Sequence, residues 1–103
     1  ASDVYKRQVP EVRPDPVLME AARSHSLEMA EKDYFDHTSP TPGRRSPMDR
    51  YRRAGGRERN LSLAENIYRG SRPSIAGAHQ AFLDSPGHRE NLLRRSWRRV
   101  GVG

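Results

Sequence analysis

The sequence predicts an α+β fold, and three observations support this class. Apolar residues recur at three- and four-residue steps within Asp15–Lys32, as in an amphipathic helix. Shorter helices are signalled after Ser46 and after Ser74, both of which suit helix N-caps. Leu61–Tyr68 suits a strand or an irregular stretch with one buried side, and Val100–Gly103 reads as an unfinished strand. At 103 residues the chain is one domain at most.

Residues 1–14, at the beginning of the chain, show no apolar periodicity and are predicted to be a disordered tail. Within this tail, the run from Asp3 to Gln8 can be read as the translated end of a transposon used to prepare sequencing libraries. These residues would then be a scar, to be left out of reasoning about the fold. A contiguous genomic reading frame that encodes them would refute this interpretation.

The helix predicted at Asp15–Lys32 has the strongest local signals. Asp15 can cap it, and Pro16 fits its first position. Its stripe includes His25, which we interpret as a packing residue with satisfied nitrogens rather than as a ligand. The other members of the stripe are Leu18, Ala21, Ala22, Met29 and Ala30.

Two further helices are predicted before residue 86. The first begins at Ser46-Pro47 and ends at Gly55-Gly56. The second, capped by Ser74, ends at the turn that starts with Ser85. Ser85 can in turn cap a following helix whose first turn holds His88. The free N–H groups there disfavour an imidazolium, so a neutral His88 could bind a metal or accept a proton.

Composition suggests a thin core and a basic surface. The hydrophobic fraction is 33%, and the 8 glycines raise it to about 41%, below the usual 45–50% or so. We therefore expect a piece of a larger fold.

The formal net charge is +6, and all but two of the 19 basic residues are arginine. This positive charge favours contact with polyanions, although a solvated basic surface explains the arginine content better than a specific polyanion site does. Without cysteine, no disulfide or thiol chemistry is possible.

Three polar residues lie within otherwise structural signals: His37, Glu65 and His88. Two histidines and a carboxylate can hold a first-row metal such as zinc. They can equally form an acid–base pair in which the carboxylate orients one ring. The spacings are long and no compact metal motif is present, so the residues alone leave both possibilities open.

The order of four segments resembles the CAP superfamily, which includes cysteine-rich secretory proteins, antigen 5 and plant pathogenesis-related proteins. The similarity is greatest to its cysteine-free bacterial SCP-like branch. It covers nearly all of Asp15–Gly103, and the segments follow in the family's order. They are Tyr34–Pro40, Ala64–Ile67, Ser85–Leu93 and Val100–Gly103.

The resemblance implies a three-layer α-β-α sandwich with a cleft lined by His37, Glu65 and His88. The family's second glutamate matches Ser85 here, a departure that leaves three of the four cleft groups. We therefore expect that zinc can bind to His37 and His88, with Glu65 nearby, and that no cofactor is required. The resemblance also implies that the domain is truncated at both ends, before Asp15 and after Gly103.

The function expected from this resemblance is that of a secreted or cell-surface bacterial domain that binds a ligand in its cleft. A lipid, an anionic cell-wall polymer or a divalent metal would fit, and catalysis is left unassigned. The first alternative is a metal-dependent or acid–base hydrolase using His37, Glu65 and His88. The second is an arginine-driven polyanion or nucleic-acid binder, although no specific nucleic acid is expected. We also expect a monomer without a transmembrane segment.

Overall fold

The longest element is the helix α1 (Pro16–Lys32), seen in a computed structural model that describes residues 13–70, 75–85 and 99–103. As predicted, Asp15 caps this helix. Its Oδ1 accepts hydrogen bonds from the backbone N–H groups of Val17 and Leu18, at 2.8 and 3.0 Å. Pro16 occupies the first turn, where a backbone N–H would have no intrahelical partner. The helix ends at Asp33, whose φ of 54° is left-handed.

The buried face of α1 differs in part from the predicted stripe. Ala21 and His25 are buried as expected, whereas Ala30 is exposed. Glu28, which lies one turn after His25, is only 4% exposed although the apolar pattern does not include it. The face that α1 buries is therefore partly polar. Its remaining predicted members are half-buried: Leu18, Ala22 and Met29.

Two short strands pair in parallel: β1 (Arg13–Pro14) and β2 (Arg99–Val100). The pairing continues one residue further, because the Asp15 N–H donates to the Val100 carbonyl at 2.8 Å. Residues 13 and 14, which the sequence pattern places in the predicted tail, form the strand β1. Two residues are too few to display the alternation by which a strand is recognised in a sequence. The predicted strand at the end of the chain is regular only as far as Val100.

The second helix, α2 (Pro47–Arg53), also forms where it was predicted. The Ser46 side chain accepts a hydrogen bond from the Asp49 N–H at 3.0 Å, and the Asp49 carboxylate accepts one from the Ser46 N–H at 3.3 Å. This reciprocal pair is a capping box. Gly55, just beyond the helix, has a φ of 106°, which favours glycine and ends the helix.

The chain divides into two units. One contains residues 13–65 and 99–103, and among the described residues the other contains 66–70 and 75–85. In the second unit, the helix α3 (Ile75–Leu83) forms as predicted. The rings of Tyr68 and Phe82 meet edge to face there, with centroids 6.3 Å apart. Ser74, the predicted cap of α3, lies outside the described residues. Residues 61–70 form neither helix nor strand, and the described elements are those of an α+β chain.

Candidate functional site

Two of the predicted site residues, His37 and Glu65, are in direct contact. His37 lies in the loop between α1 and α2, and Glu65 lies in the irregular segment after α2. The His37 Nδ1 atom is 2.7 Å from Oε1 of Glu65. A carboxylate oxygen can only accept, so Nδ1 carries the proton of this bond. In the neutral ring, Nε2 then keeps its lone pair for a ligand or a proton.

Exposure differs between the two side chains. The His37 side chain is 49% exposed, whereas that of Glu65 is 17% exposed. The imidazole is half exposed, and the less accessible carboxylate orients it by accepting a hydrogen bond from Nδ1. Histidines that bind metal are usually oriented in this way. This is also the arrangement of a histidine base held in one tautomer.

Arg50, on α2, holds Glu65 from its other side. Its Nη2 atom donates to Oε1 and Oε2 of Glu65, at 3.0 and 2.9 Å. The same nitrogen lies 2.9 Å from the backbone carbonyl oxygen of His37. One guanidinium therefore fixes both the carboxylate and the backbone of the histidine that the carboxylate contacts. Because both oxygens of Glu65 already accept hydrogen bonds, Glu65 fits an orienting role better than that of a direct metal ligand.

Arg50 also binds the loop that precedes α2. Its Nη1 atom donates to the carbonyl oxygens of Arg44 and Arg45, at 2.8 and 3.1 Å. The residue is only 3% exposed. Within the described part of the chain, its Nε is the one buried side-chain nitrogen or oxygen without a hydrogen-bond partner. Sequence reasoning missed Arg50, since nothing local distinguishes it from Arg52 and Arg53 on the same helix.

The interpretation of His25 as a satisfied packing residue is confirmed. It is 2% exposed, and its Nε2 lies 2.8 Å from the carbonyl oxygen of Asp36. Its Nδ1 lies 3.3 Å from the Tyr34 hydroxyl. His25 is therefore a buried residue that contacts the loop immediately before His37.

Glu28, which the sequence pattern did not mark, is the most strongly perturbed acid in the described chain. The Ser39 hydroxyl and the Tyr34 hydroxyl both donate to Oε1, the latter at 2.7 Å. These two hydrogen bonds outweigh burial and lower the pKa of Glu28 from 4.5 to about 2. Arg44 Nη1 and Lys32 Nζ lie 3.5 and 3.8 Å from Oε2.

The other two predicted site residues, Ser85 and His88, are not among the described residues of the unit that contains His37 and Glu65. Ser85 is half-buried just after α3, in the second unit. His88 lies outside the described residues. Among those that are described, no group of three or more acidic or histidine side chains could hold a metal ion. No helix within the described ranges is long and apolar enough to cross a membrane.

Comparison with known proteins gives concordant matches. The family model described as "CAP: Cysteine-rich secretory protein family" matches residues 6–103. Uncharacterized protein YkwD of Bacillus subtilis strain 168 is 37% identical over 89 residues, which are 86% of this chain and 33% of YkwD.

A solved structure is also similar. It is that of an extracellular protein containing a SCP domain from Bacillus anthracis strain Ames, with a TM-score of 0.82 and 31% sequence identity. The match covers 95% of this chain and 31% of that one. The chain thus spans about a third of the length of both relatives. With the family model matched over almost its whole length, this chain belongs to the CAP family, the cysteine-rich secretory protein family, and resembles its bacterial SCP-like members.

Proposed function

We propose that this chain is a secreted or cell-surface bacterial CAP domain that binds a ligand at a site built on His37. The observation that carries the proposal is the hydrogen bond of 2.7 Å between Nδ1 of His37 and Glu65. It orients the ring and leaves Nε2 to meet a ligand. An extracellular location is supported by the Bacillus anthracis relative, which is described as an extracellular protein.

The first ligand class that we propose is a divalent metal, with zinc as the probe. His37 would coordinate through Nε2, and Glu65 would orient the ring. His88 would supply the second histidine, as the family resemblance implies, and Ser85 would stand where the family has another acid. So few protein ligands fit a weak, open site rather than a closed structural one. A metal held there would leave coordination positions for a lipid or an anionic cell-wall polymer.

Calorimetric titration with zinc tests this proposal. We expect the wild type to bind reversibly, His37→Ala and His88→Ala to lose binding, and Glu65→Gln to bind about 10- to 100-fold more weakly. His79→Ala is the matched control, because His79 is an exposed histidine on α3 and should bind as the wild type does. Zinc binding that is absent from the wild type, or unchanged in His37→Ala, would overturn the metal site.

A second candidate, an acid–base or metal-dependent hydrolase, is favoured by the same tautomer. A ring whose Nδ1–H is held by a carboxylate presents Nε2 as a proton acceptor. Hydrolysis of a chromogenic ester, measured with and without added zinc, separates the two functions. Turnover that is lost in both His37→Ala and Glu65→Gln would favour the hydrolase, whereas zinc binding without turnover would favour the binding domain.

A further inference from the structure

The loop that carries His37 is attached to α1 on both sides of the histidine. On one side, His25 Nε2 lies 2.8 Å from the carbonyl oxygen of Asp36, the residue before His37. On the other side, the hydroxyl of Ser39, two residues after His37, donates to the Glu28 carboxylate. Since His25 and Glu28 are three residues apart, they lie on the same face of the helix.

These attachments are made by buried groups. His25 is 2% exposed, Glu28 4% and Ser39 1%. A buried hydrogen bond that loses one partner leaves the other buried and unsatisfied, which is costly, so the loop has little freedom to slide along α1. Inside the loop, the Thr38 N–H donates to Asp36 Oδ1 at 2.7 Å, and this turn links the two attachment points.

We propose that His25 and Glu28 are positioning residues of the His37 site, which fix the backbone on either side of the histidine while Arg50 fixes its carbonyl. The bond of 2.7 Å between Nδ1 of His37 and Glu65 tolerates little displacement, because hydrogen bonds weaken steeply with distance and angle. Neither His25 nor Glu28 touches the His37 ring. They act through the backbone of Asp36 and the side chain of Ser39.

Substitutions at His25 separate its hydrogen bond from its volume. The carbonyl of Asp36 can only accept, so Nε2 of His25 must donate. Gln can place an amide N–H near the position of Nε2, whereas Asn is too short to do so and Leu fills space without donating. We therefore compare His25→Gln with His25→Leu and His25→Asn. Ser24→Ala is the matched control, because Ser24 lies on the same helix and donates only to the Ala21 carbonyl, at 3.0 Å.

The first readout is the pair of ring-nitrogen resonances of His37, which report its tautomer and its hydrogen bond without any metal. We expect His25→Leu and His25→Asn to shift the Nδ1 resonance and populate the other tautomer. His25→Gln and Ser24→Ala should keep the wild-type pattern. If His25→Leu does not fold, His25→Asn carries the same comparison. A wild-type pattern in a folded Leu or Asn variant, or a His25→Gln pattern as altered as theirs, would overturn the proposal.

The second readout, zinc affinity, rests on the proposed function. We expect the Leu and Asn variants to bind about tenfold more weakly and His25→Gln to recover to within about twofold. Ser39→Ala should weaken binding in the same direction, because it removes the hydroxyl through which Glu28 holds the loop. A wild type that binds no zinc would contradict the proposed function and leave the resonance comparison to decide the positioning role. Zinc binding that is equal in all variants would contradict the positioning role itself.

Discussion

Arg50 donates from Nη2 to both carboxylate oxygens of Glu65, at 3.0 and 2.9 Å. The side chains are 2% and 17% exposed, respectively. In such surroundings the two charges are weakly screened, and each depends on the other for compensation. The same carboxylate accepts from His37 at 2.7 Å, so the orientation of the His37 ring depends on Arg50, a residue of α2.

We first predict that Arg50→Met destabilises the folded chain by about 3 kcal/mol. Methionine keeps the apolar stem but leaves Glu65 without its counter-charge. It also removes the hydrogen bonds to three carbonyl oxygens, those of His37, Arg44 and Arg45. The Arg45 oxygen still accepts from the Ser39 N–H. Breaking a buried pair from one side costs about 3–5 kcal/mol. We take the lower end because Glu65 is partly solvated. Urea denaturation measures the change in the free energy of unfolding.

Arg53→Met is the matched control for this measurement. Arg53 lies on the same helix and is exposed, so its substitution should change the free energy of unfolding by less than about 0.5 kcal/mol. Equal losses in the two variants would mean that the contacts of Arg50 contribute no more than an ordinary surface arginine.

Sequence reasoning located the helices because their signals are local. Asp15 and Ser46 each cap a helix with a proline next in the chain, and the hydrogen bonds that they form span two or three residues. Gly55 likewise ends α2 through its own backbone conformation. Features of this kind can be recognised within a window of a few residues.

The residues that sequence reasoning missed depend on contacts between distant segments. Arg50 is one of several arginines in α2, and Glu28 is one of several charged residues in α1, so only the packing distinguishes them. The contact of His37 with Glu65 was anticipated from the family's segment order, as their separation of 28 residues carries no signal of its own. The pairing of β1 with β2 joins residues more than 80 positions apart.

A second prediction concerns Gly101, which lies directly against the backbone of α1. A Cβ atom at this position would overlap the backbone of Leu18 and Met19. We expect Gly101→Ala to destabilise the chain by about 1–3 kcal/mol, the usual cost of overpacking, because helix backbone cannot move aside as a side chain can. Thermal or urea unfolding measures the loss.

The neighbouring Val102 provides the control for this substitution. It is 56% exposed, so Val102→Ala should be neutral to within about 0.5 kcal/mol. A Gly101→Ala variant as stable as Val102→Ala would show that the end of the chain moves freely away from α1.

A third prediction follows from the formal net charge of +6. We expect salt-sensitive, sequence-independent retention on an anionic matrix, which should fade at 1 M salt as the Debye length falls to about 3 Å. Arg57 and Arg59 are exposed, and replacing both with Gln should lower the salt concentration needed for elution. Retention that persists at 1 M salt would instead indicate a shaped, specific site for a polyanion.

The last prediction concerns Glu28 and acid. Donation from Ser39 and Tyr34 lowers the pKa of Glu28 to about 2 in the folded chain, whereas the ordinary value is 4.5. The unfolded chain therefore takes up the proton first as the pH falls. The stabilisation due to the carboxylate should be fully present above about pH 4.5 and should be lost as the pH falls towards about 2.

Urea denaturation of the wild type and of Glu28→Gln between pH 7 and pH 2 measures this loss. We expect the wild type to be the more stable at pH 7, because Gln keeps one acceptor oxygen but loses the charge that Arg44 and Lys32 approach. The difference in free energy of unfolding should stay constant down to about pH 5 and then narrow, since only the wild type has this carboxylate to protonate. Asp49→Asn serves as a control, because Asp49 is an exposed carboxylate that accepts from the Ser46 N–H rather than from Ser39 or Tyr34. A difference between wild type and Glu28→Gln that stays constant down to pH 2 would mean that folding leaves the acidity of Glu28 unchanged.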